Sequence, residues 1–259
     1  MKALVQYSTG AGSAMVAVRA VEQYGLENVV LQTANVKVED KDNWRFAVEV
    51  FKHLGRPKWE VLIEGRTPMQ VGRDLKCVPN DRMAVCSRVL KRDLIRKHLD
   101  ANYDPAECVV MLGFDWTEEH RLKKSEPHWA PWTIAAPLMD PPLMEKPVML
   151  DWFRERGIEP PRLYGMGFSH ANCGGACVRG GHASWALLWE KRPEVYLEWE
   201  KEEETTRGML GKDVSILKDR RGGTTRPITL RRFRQERLPG GDYDAEDWGA
   251  CGCFMGEDE

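Results

Sequence analysis

The chain opens on a largely apolar run, Lys2-Ala3-Leu4-Val5-Gln6-Tyr7, which predicts a first strand. A turn of small residues, Ser8 to Ser13, follows at once. Residues 14–24 then repeat apolar positions at helical spacing, through Met15, Val18 and Val21 or through Ala17 and Ala20. Residues 28–33 predict a second strand. Residues 42–54 predict an amphipathic helix that places Trp44, Ala47, Val48 and Phe51 on one face and leaves Phe46 off it. A third strand is expected over 59–63, ending at Glu64-Gly65-Arg66. A helix over 85–99 and a strand over 107–112 complete the first half. Strands and helices alternating at this spacing imply an α/β fold with a doubly wound, mostly parallel sheet. In such sheets ligands collect at the carboxyl ends of the strands, where Ser8 to Ser13 sits.

The second half has a different pattern. Residues 131–147 are punctuated by proline, with a short strand expected over 132–138. Helices are expected over 147–156 and over 184–204, the latter interrupted at Pro193. Residues 219–237 are strongly basic, and a helix is expected from Pro227 onward, with Arg231 and Arg234 near one face and Leu230 and Phe233 near another. Residues 238–259 are glycine-rich and acidic. This half is expected to elaborate the sheet domain, with a division into 1–145 and 146–259. Trp185, Trp189 and Trp199 lie in helical stretches and are expected in a core.

Composition narrows the picture. Hydrophobic residues make up 42% and charged residues 30%, the balance of a globular protein. No apolar run is long enough to span a bilayer, and a leader pattern is missing from the first residues, so a cytoplasmic, non-membrane protein is expected. A net charge of -2 argues against a general polyanion binder. Locally, Arg220, Arg221, Arg226, Arg231, Arg232, Arg234 and Arg237 are candidates to grip a sulfate, a nucleotide phosphate or a nucleic-acid backbone, or else form a solvated face paired with the acidic tail.

Two features carry candidate chemistry. A strand, a small-residue turn and a helix N-terminus form an anion site, because backbone N–H groups and the positive end of the helix dipole face the turn. Ser8, Thr9, Gly10, Ala11, Gly12 and Ser13 are therefore candidate phosphate contacts, although an ordinary tight turn needs the same small residues. The second feature is cysteine spacing. Cys173 and Cys177 flank two glycines, and Cys251 and Cys253 flank one. Four thiolates in two close pairs suit zinc or an iron–sulfur cluster, with Asn172 as a hydrogen-bonding neighbour. Cys86 is an alternative fourth ligand. Cys108 lies in an apolar run and is expected in the core. His170 and His182 are lesser ligand candidates, and Asp115 and Glu118 are expected to be loop charges.

Ser8-Thr9-Gly10-Ala11-Gly12-Ser13 resembles the PP-loop, usually Ser-Gly-Gly-x-Asp-Ser, of the adenine nucleotide alpha hydrolase superfamily. Cys86-Ser87-Arg88-Val89-Leu90-Lys91 is similar to the Cys-x-x-x-x-Lys element of phosphoadenosine phosphosulfate reductases. Glu39-Asp40 stands where that family often carries acidic residues. The stretch from Tyr164-Gly165-Met166-Gly167 to Cys173-Gly174-Gly175-Ala176-Cys177, with Cys251-Gly252-Cys253, looks like a phage and bacterial branch of reductase-like proteins. The resemblance implies binding of an adenine nucleotide, either ATP or phosphoadenosine phosphosulfate. It also implies sulfonucleotide reduction or ATP-dependent sulfur transfer, with Cys86 and Lys91 as catalytic residues and a redox or sulfur-carrier protein as partner. Adenylation or thiolation of a nucleic acid, and nucleotide binding without turnover around a structural metal, are the alternatives. Gly12 replaces the usual loop Asp and Thr9 the usual Gly. Small residues still allow close approach of phosphate, but the lost carboxylate removes a partner for a metal ion.

Overall fold

The computed structural model describes residues 1–249. Five parallel strands form one sheet: β1 (Lys2–Gln6), β2 (Val29–Ala34), β3 (Lys58–Leu62), β4 (Cys108–Met111) and β5 (Thr133–Ala135), in the order β3-β2-β1-β4-β5. The chain thus starts in the middle, builds outward to β3, then returns to the other side of β1. The strand order reverses between β1 and β4, and their carboxyl ends flank the crevice where ligands of such sheets bind. Leu4 points to one face of β1 and Ala3 and Val5 to the other, and all three are fully buried, because helices cover both faces.

On one face lie α1 (Ala11–Tyr24) and α2 (Lys41–His53). Phe46 of α2 meets Phe153 edge to face, with ring centroids 5.1 Å apart. Asn43, Phe46, Ala47 and Val50 form the buried stripe of α2. The expected face through Trp44, Val48 and Phe51 is therefore rotated: Phe46 is at its centre, and Trp44 stands at the margin, stacked on Trp59. Helix α1 begins at Ala11, earlier than its apolar repeat, because glycine and serine in the first turn are too small to signal periodicity.

Helix α3 (Pro68–Asp74) was not visible in the apolar pattern, since two turns give too few repeats. Its start is nonetheless written locally, with proline at the first position and a reciprocal cap between Thr67 and Gln70. The helix expected over 85–99 is a composite: α4 (Val85–Ser87), a wider π-helical stretch (Arg88–Asp93) and α5 (Leu94–Asn102). Ile95 and Leu99 of α5 cover the second face of the sheet with Trp129 and Trp132. Trp129 ends α6 (Glu119–Trp129), a polar helix that the sequence pattern also left unmarked.

Further along come α7 (Lys146–Arg154), α8 (Arg162–Gly165), α9 (His182–Lys191) and α10 (Pro193–Leu210), the last two divided at Pro193 as the sequence predicts. Met149 and Phe153 of α7 pack into the core beneath α1 and α2. A separate core gathers Leu163, Trp185, Tyr196, Trp199, Leu230 and Phe233. Trp185 contacts Tyr196 and Trp199 edge-on. A small antiparallel pair, β6 (Leu217–Asp219) and β7 (Arg226–Ile228), precedes α11 (Leu230–Arg232). Pro227 lies inside β7, so the expected helix begins three residues later, under a Thr229 cap. Among the described residues, no helix is long and apolar enough to cross a membrane.

Candidate functional site

Two adjoining clefts lie above the sheet, and both are lined by Lys91. The first lies over the carboxyl ends of β1 and β2 and is lined by Gln6, Ser8, Thr9, Glu39, Trp44 and Lys91 among others. The second is lined by Cys86, Ser87, Lys91, Cys173, Cys177 and Arg179 among others. The structure therefore brings the small-residue turn and three of the cysteines to opposite sides of one buried lysine. Lys91 stands in the π-helical stretch, a local widening that displaces side chains from the regular helical positions.

The turn is self-braced. Ser13 Oγ accepts from the Ser8 amide at 3.1 Å and donates to the Gly10 carbonyl at 3.0 Å, while Ser8 Oγ lies 3.2 Å from it. Thr9 takes a left-handed conformation (φ 65°). Gly10 caps α1 with extended backbone and no side-chain hydrogen bond, so no side chain of the turn closes the helix N-terminus. The Ala11 amide, however, donates to the hydroxyl of Tyr164 at 3.2 Å. The Thr9 hydroxyl is buried without a hydrogen-bond partner. One amide of the turn is thus held by a neutral hydroxyl. A Cβ on Gly12 would lie 3.7 Å from the Gly113 carbonyl, so the position is open but faces an oxygen.

The cysteine loop is pinned to the sheet domain by Glu39 and Asp40. Glu39 Oε2 accepts from the Cys173 amide at 2.7 Å, and Glu39 Oε1 lies 3.9 Å from Lys91 Nζ. Cys173, Gly174 and Gly175 all have positive φ, which turns the loop tightly enough to present that amide. Asp40 caps α2 through the Asp42 amide and also receives Arg162 at 2.8 Å and Arg192 at 2.6 Å. Arg192 in turn donates to the Gly174 carbonyl at 3.0 Å. Burial works against ionisation of Asp40, but the two guanidiniums and the Asp42 amide prevail and hold its carboxyl below the ordinary value. Burial pushes the Cys173 thiol well up, the Glu39 carboxylate adds to this, and Lys91 opposes it.

Cys173 and Cys177 share their cleft with Cys86; Cys251 and Cys253 lie outside the described residues. Among the described residues, no three His, Cys, Asp or Glu side chains are grouped so as to hold a metal ion. Cys108 is a core residue as expected, and Cys77 is also buried. His182 spends its ring on the Lys218 carbonyl and the Asp244 amide. Asp115 and Glu118 form a reciprocal cap on a short helical turn. Glu39, marked in the sequence only as an acidic position of the resembled family, sits in the connection between β2 and α2 and touches both the Cys173 amide and Lys91.

The arginine segment is largely neutralised from within. Arg231 and Arg234 pair with Glu200, Arg232 with Glu236, and Arg221 and Arg237 with Asp219 and Asp242. Arg220 pairs with Asp81. Asp242 belongs to the acidic tail, so part of this face is an internal charge lattice.

The chain matches no family model and no curated protein. Among solved structures it is similar to an NH3-dependent NAD synthetase from Campylobacter jejuni subsp. jejuni NCTC 11168 in complex with the nitrate ion, at 16% identity. That similarity covers 81% of this chain and 84% of the other, with a TM-score of 0.37.

Proposed function

We propose that this protein is an adenine-nucleotide-dependent enzyme of sulfur chemistry, with phosphate on the Ser8 to Ser13 turn and the sulfur step in the thiol cleft. One observation carries the reading: Lys91 lines both the phosphate cradle and the cleft that holds Cys86, Cys173 and Cys177. A buried cation at that junction stabilises negative charge that builds up on a bond broken between phosphate and sulfur groups. The turn binds and orients the nucleotide through backbone amides and the serine and threonine hydroxyls, and the α1 dipole adds to the field. Cys86, in the cleft wall beside Lys91, is the proposed thiol of the sulfur step.

The thiols of Cys86, Cys173 and Cys177 line one cleft but, among the described residues, are not grouped so as to hold a metal ion, so no zinc or iron–sulfur role is assigned to them. The chain's own residues do the positioning. Glu39 and Asp40 fix the loop against the sheet, and Glu39 faces the Lys91 ammonium.

The test is a pair of assays on anaerobically purified full-length protein. Pyrophosphate release is followed with ATP, and sulfite release with phosphoadenosine phosphosulfate and a thiol reductant. Either product, lost in Lys91→Met and in Cys86→Ser, supports the reading and selects the reaction. Failure of both nucleotides to raise the melting temperature would overturn it.

A further inference from the structure

One face of the sheet carries a row of polar side chains where full burial ordinarily demands apolar ones. Gln6 of β1 sits opposite Gln32 of β2, and Gln32 sits opposite Glu60 of β3. Gln6 Nε2 donates to Gln32 Oε1 at 2.9 Å, and Gln32 Nε2 donates to Glu60 Oε2 at 3.0 Å. Glu60 also accepts from the Tyr103 hydroxyl at 2.7 Å and His98 Nε2 at 2.8 Å, and pairs with Lys58. Gln6 and Gln32 are 2% and 1% exposed, so each amide group must find its partner inside the protein.

The outer end of the row dictates its direction. An ionised carboxylate has only acceptors, so Gln32 must turn its amide nitrogen toward Glu60 and its carbonyl toward Gln6. Gln6 must then spend its nitrogen on Gln32, which leaves its Oε1 at the inner end. That oxygen is buried without a hydrogen-bond partner, as is the Thr9 hydroxyl. Both residues line the cleft above β1 and β2, beside Lys91. A row of three side chains across three strands thus ends in a single acceptor whose polarity is fixed two strands away.

We propose that Gln6 Oε1 is a specificity-determining group that reads a hydrogen-bond donor on the bound nucleotide, an amine or a hydroxyl, with its orientation set by Glu60 through Gln32. This rests on the nucleotide reading above. A ligand presenting an acceptor at the same place sets oxygen against buried oxygen and leaves both unsatisfied, which lowers affinity about tenfold or more. Thr9, whose hydroxyl both donates and accepts, tolerates either and adds little discrimination.

Calorimetric titration of the full chain with four nucleotides tests this: ATP, inosine triphosphate, 2′-deoxy-ATP and 3′-deoxy-ATP. Inosine triphosphate replaces the amine of the base by a carbonyl, and the deoxy forms remove one sugar hydroxyl each. One of the three analogues is expected to bind at least about tenfold more weakly than ATP, which identifies the donor as base or sugar. Glu60→Gln no longer forces the direction of the row, so the same difference is expected to shrink to about threefold or less. Gln6→Met, which keeps volume and has no acceptor, is expected to remove the difference without relying on the outer end; thermal melts confirm that both variants fold. Equal affinity of wild-type protein for all four nucleotides overturns the role of Gln6 while leaving the nucleotide reading intact. Undiminished discrimination in both variants does the same. Absence of ATP binding to the wild type overturns this role of Gln6, and absence of phosphoadenosine phosphosulfate binding as well removes the nucleotide reading with it.

Discussion

Tyr164 sets its hydroxyl on the first turn of α1, 3.2 Å from the Ala11 amide and 153 residues away in sequence. Tyr164 is half-buried between the core under α1 and the core around Trp185, so one side chain reports the seating of both on the Ser8 to Ser13 turn. A bound phosphate must take the Ala11 amide from this hydroxyl. Tyr164→Phe is therefore expected to bind adenine nucleotide about threefold more tightly and to lose about 1 kcal/mol of stability, the size of one exchanged hydrogen bond. Calorimetric titration and chemical denaturation of the same preparation check both signs; weaker nucleotide binding would instead make the hydroxyl a ligand contact.

Asp40 joins two guanidiniums, an α2 cap and, through Arg192, the Gly174 carbonyl. Asparagine caps helices as well as aspartate does, so Asp40→Asn isolates the ionic part. Arg192 is only 14% exposed and Arg162 half-exposed, which places the expected loss at about 2–3 kcal/mol, below that of a fully buried pair. Loosening of the loop should also speed alkylation of Cys173, measurable by mass spectrometry. The carboxyl is held below its ordinary pKa, so its contribution to stability is present above the unfolded value and fades as pH falls through the folded one.

Much of this arrangement was legible in the chain, and the reasons for the misses are physical. Unbroken apolar runs gave the strands of the five-stranded sheet because both its faces are covered, while helices packed on one side leave a periodic imprint that gave most of them. The imprint misled at α2, where Asn43 joins Phe46 in the buried stripe while Trp44 serves the cleft margin. Cys86, Lys91, Cys173 and Cys177 were each visible, yet their meeting at one cleft was not, since nothing local states that α8 and the 173–175 loop fold back over β2. The Gln6, Gln32 and Glu60 row was invisible for a related reason: polar residues in strands signal solvent until the register aligns them.

Two glycines should answer alanine in opposite ways. At Gly72 in α3 a Cβ would fall 2.5 Å from Pro79 Cδ and 2.7 Å from the Cys77 carbonyl, contacts that only backbone movement relieves. Gly72→Ala is expected to lose about 1–3 kcal/mol through overpacking. At Gly12 the nearest atoms stand at 3.7 and 3.9 Å, ordinary contact distances. Gly12→Ala is expected to gain up to about 1 kcal/mol from helix propensity. Denaturation midpoints of the two variants decide it; a stabilised Gly72→Ala would refute the packing of α3 against the 77–79 turn.

Glu203 offers the clearest pH signature. Its carboxyl lies fully buried in α10, and its two oxygens accept from the Ile216 amide at 2.7 Å and the Leu230 amide at 2.6 Å, clasping the entries to β6 and α11. Burial raises its pKa to about 7, against the opposing effect of those two amides and of Arg207. A carboxyl raised in the folded state binds a proton there that the unfolded chain has already released. Its stabilising effect is thus complete below the unfolded value near 4.5, declines as pH rises toward 7, and levels off above. The decline attributable to this group is roughly 3 kcal/mol. Glu203→Gln cannot titrate and satisfies only one of the two amides, so at pH 5 it is expected to be less stable by about 1–3 kcal/mol. Between pH 5 and pH 8 the variant should lose less stability than the wild type, and urea denaturation at both pH values measures the gap. Parallel declines in the two proteins would show that Glu203 is already ionised in the folded state at pH 5.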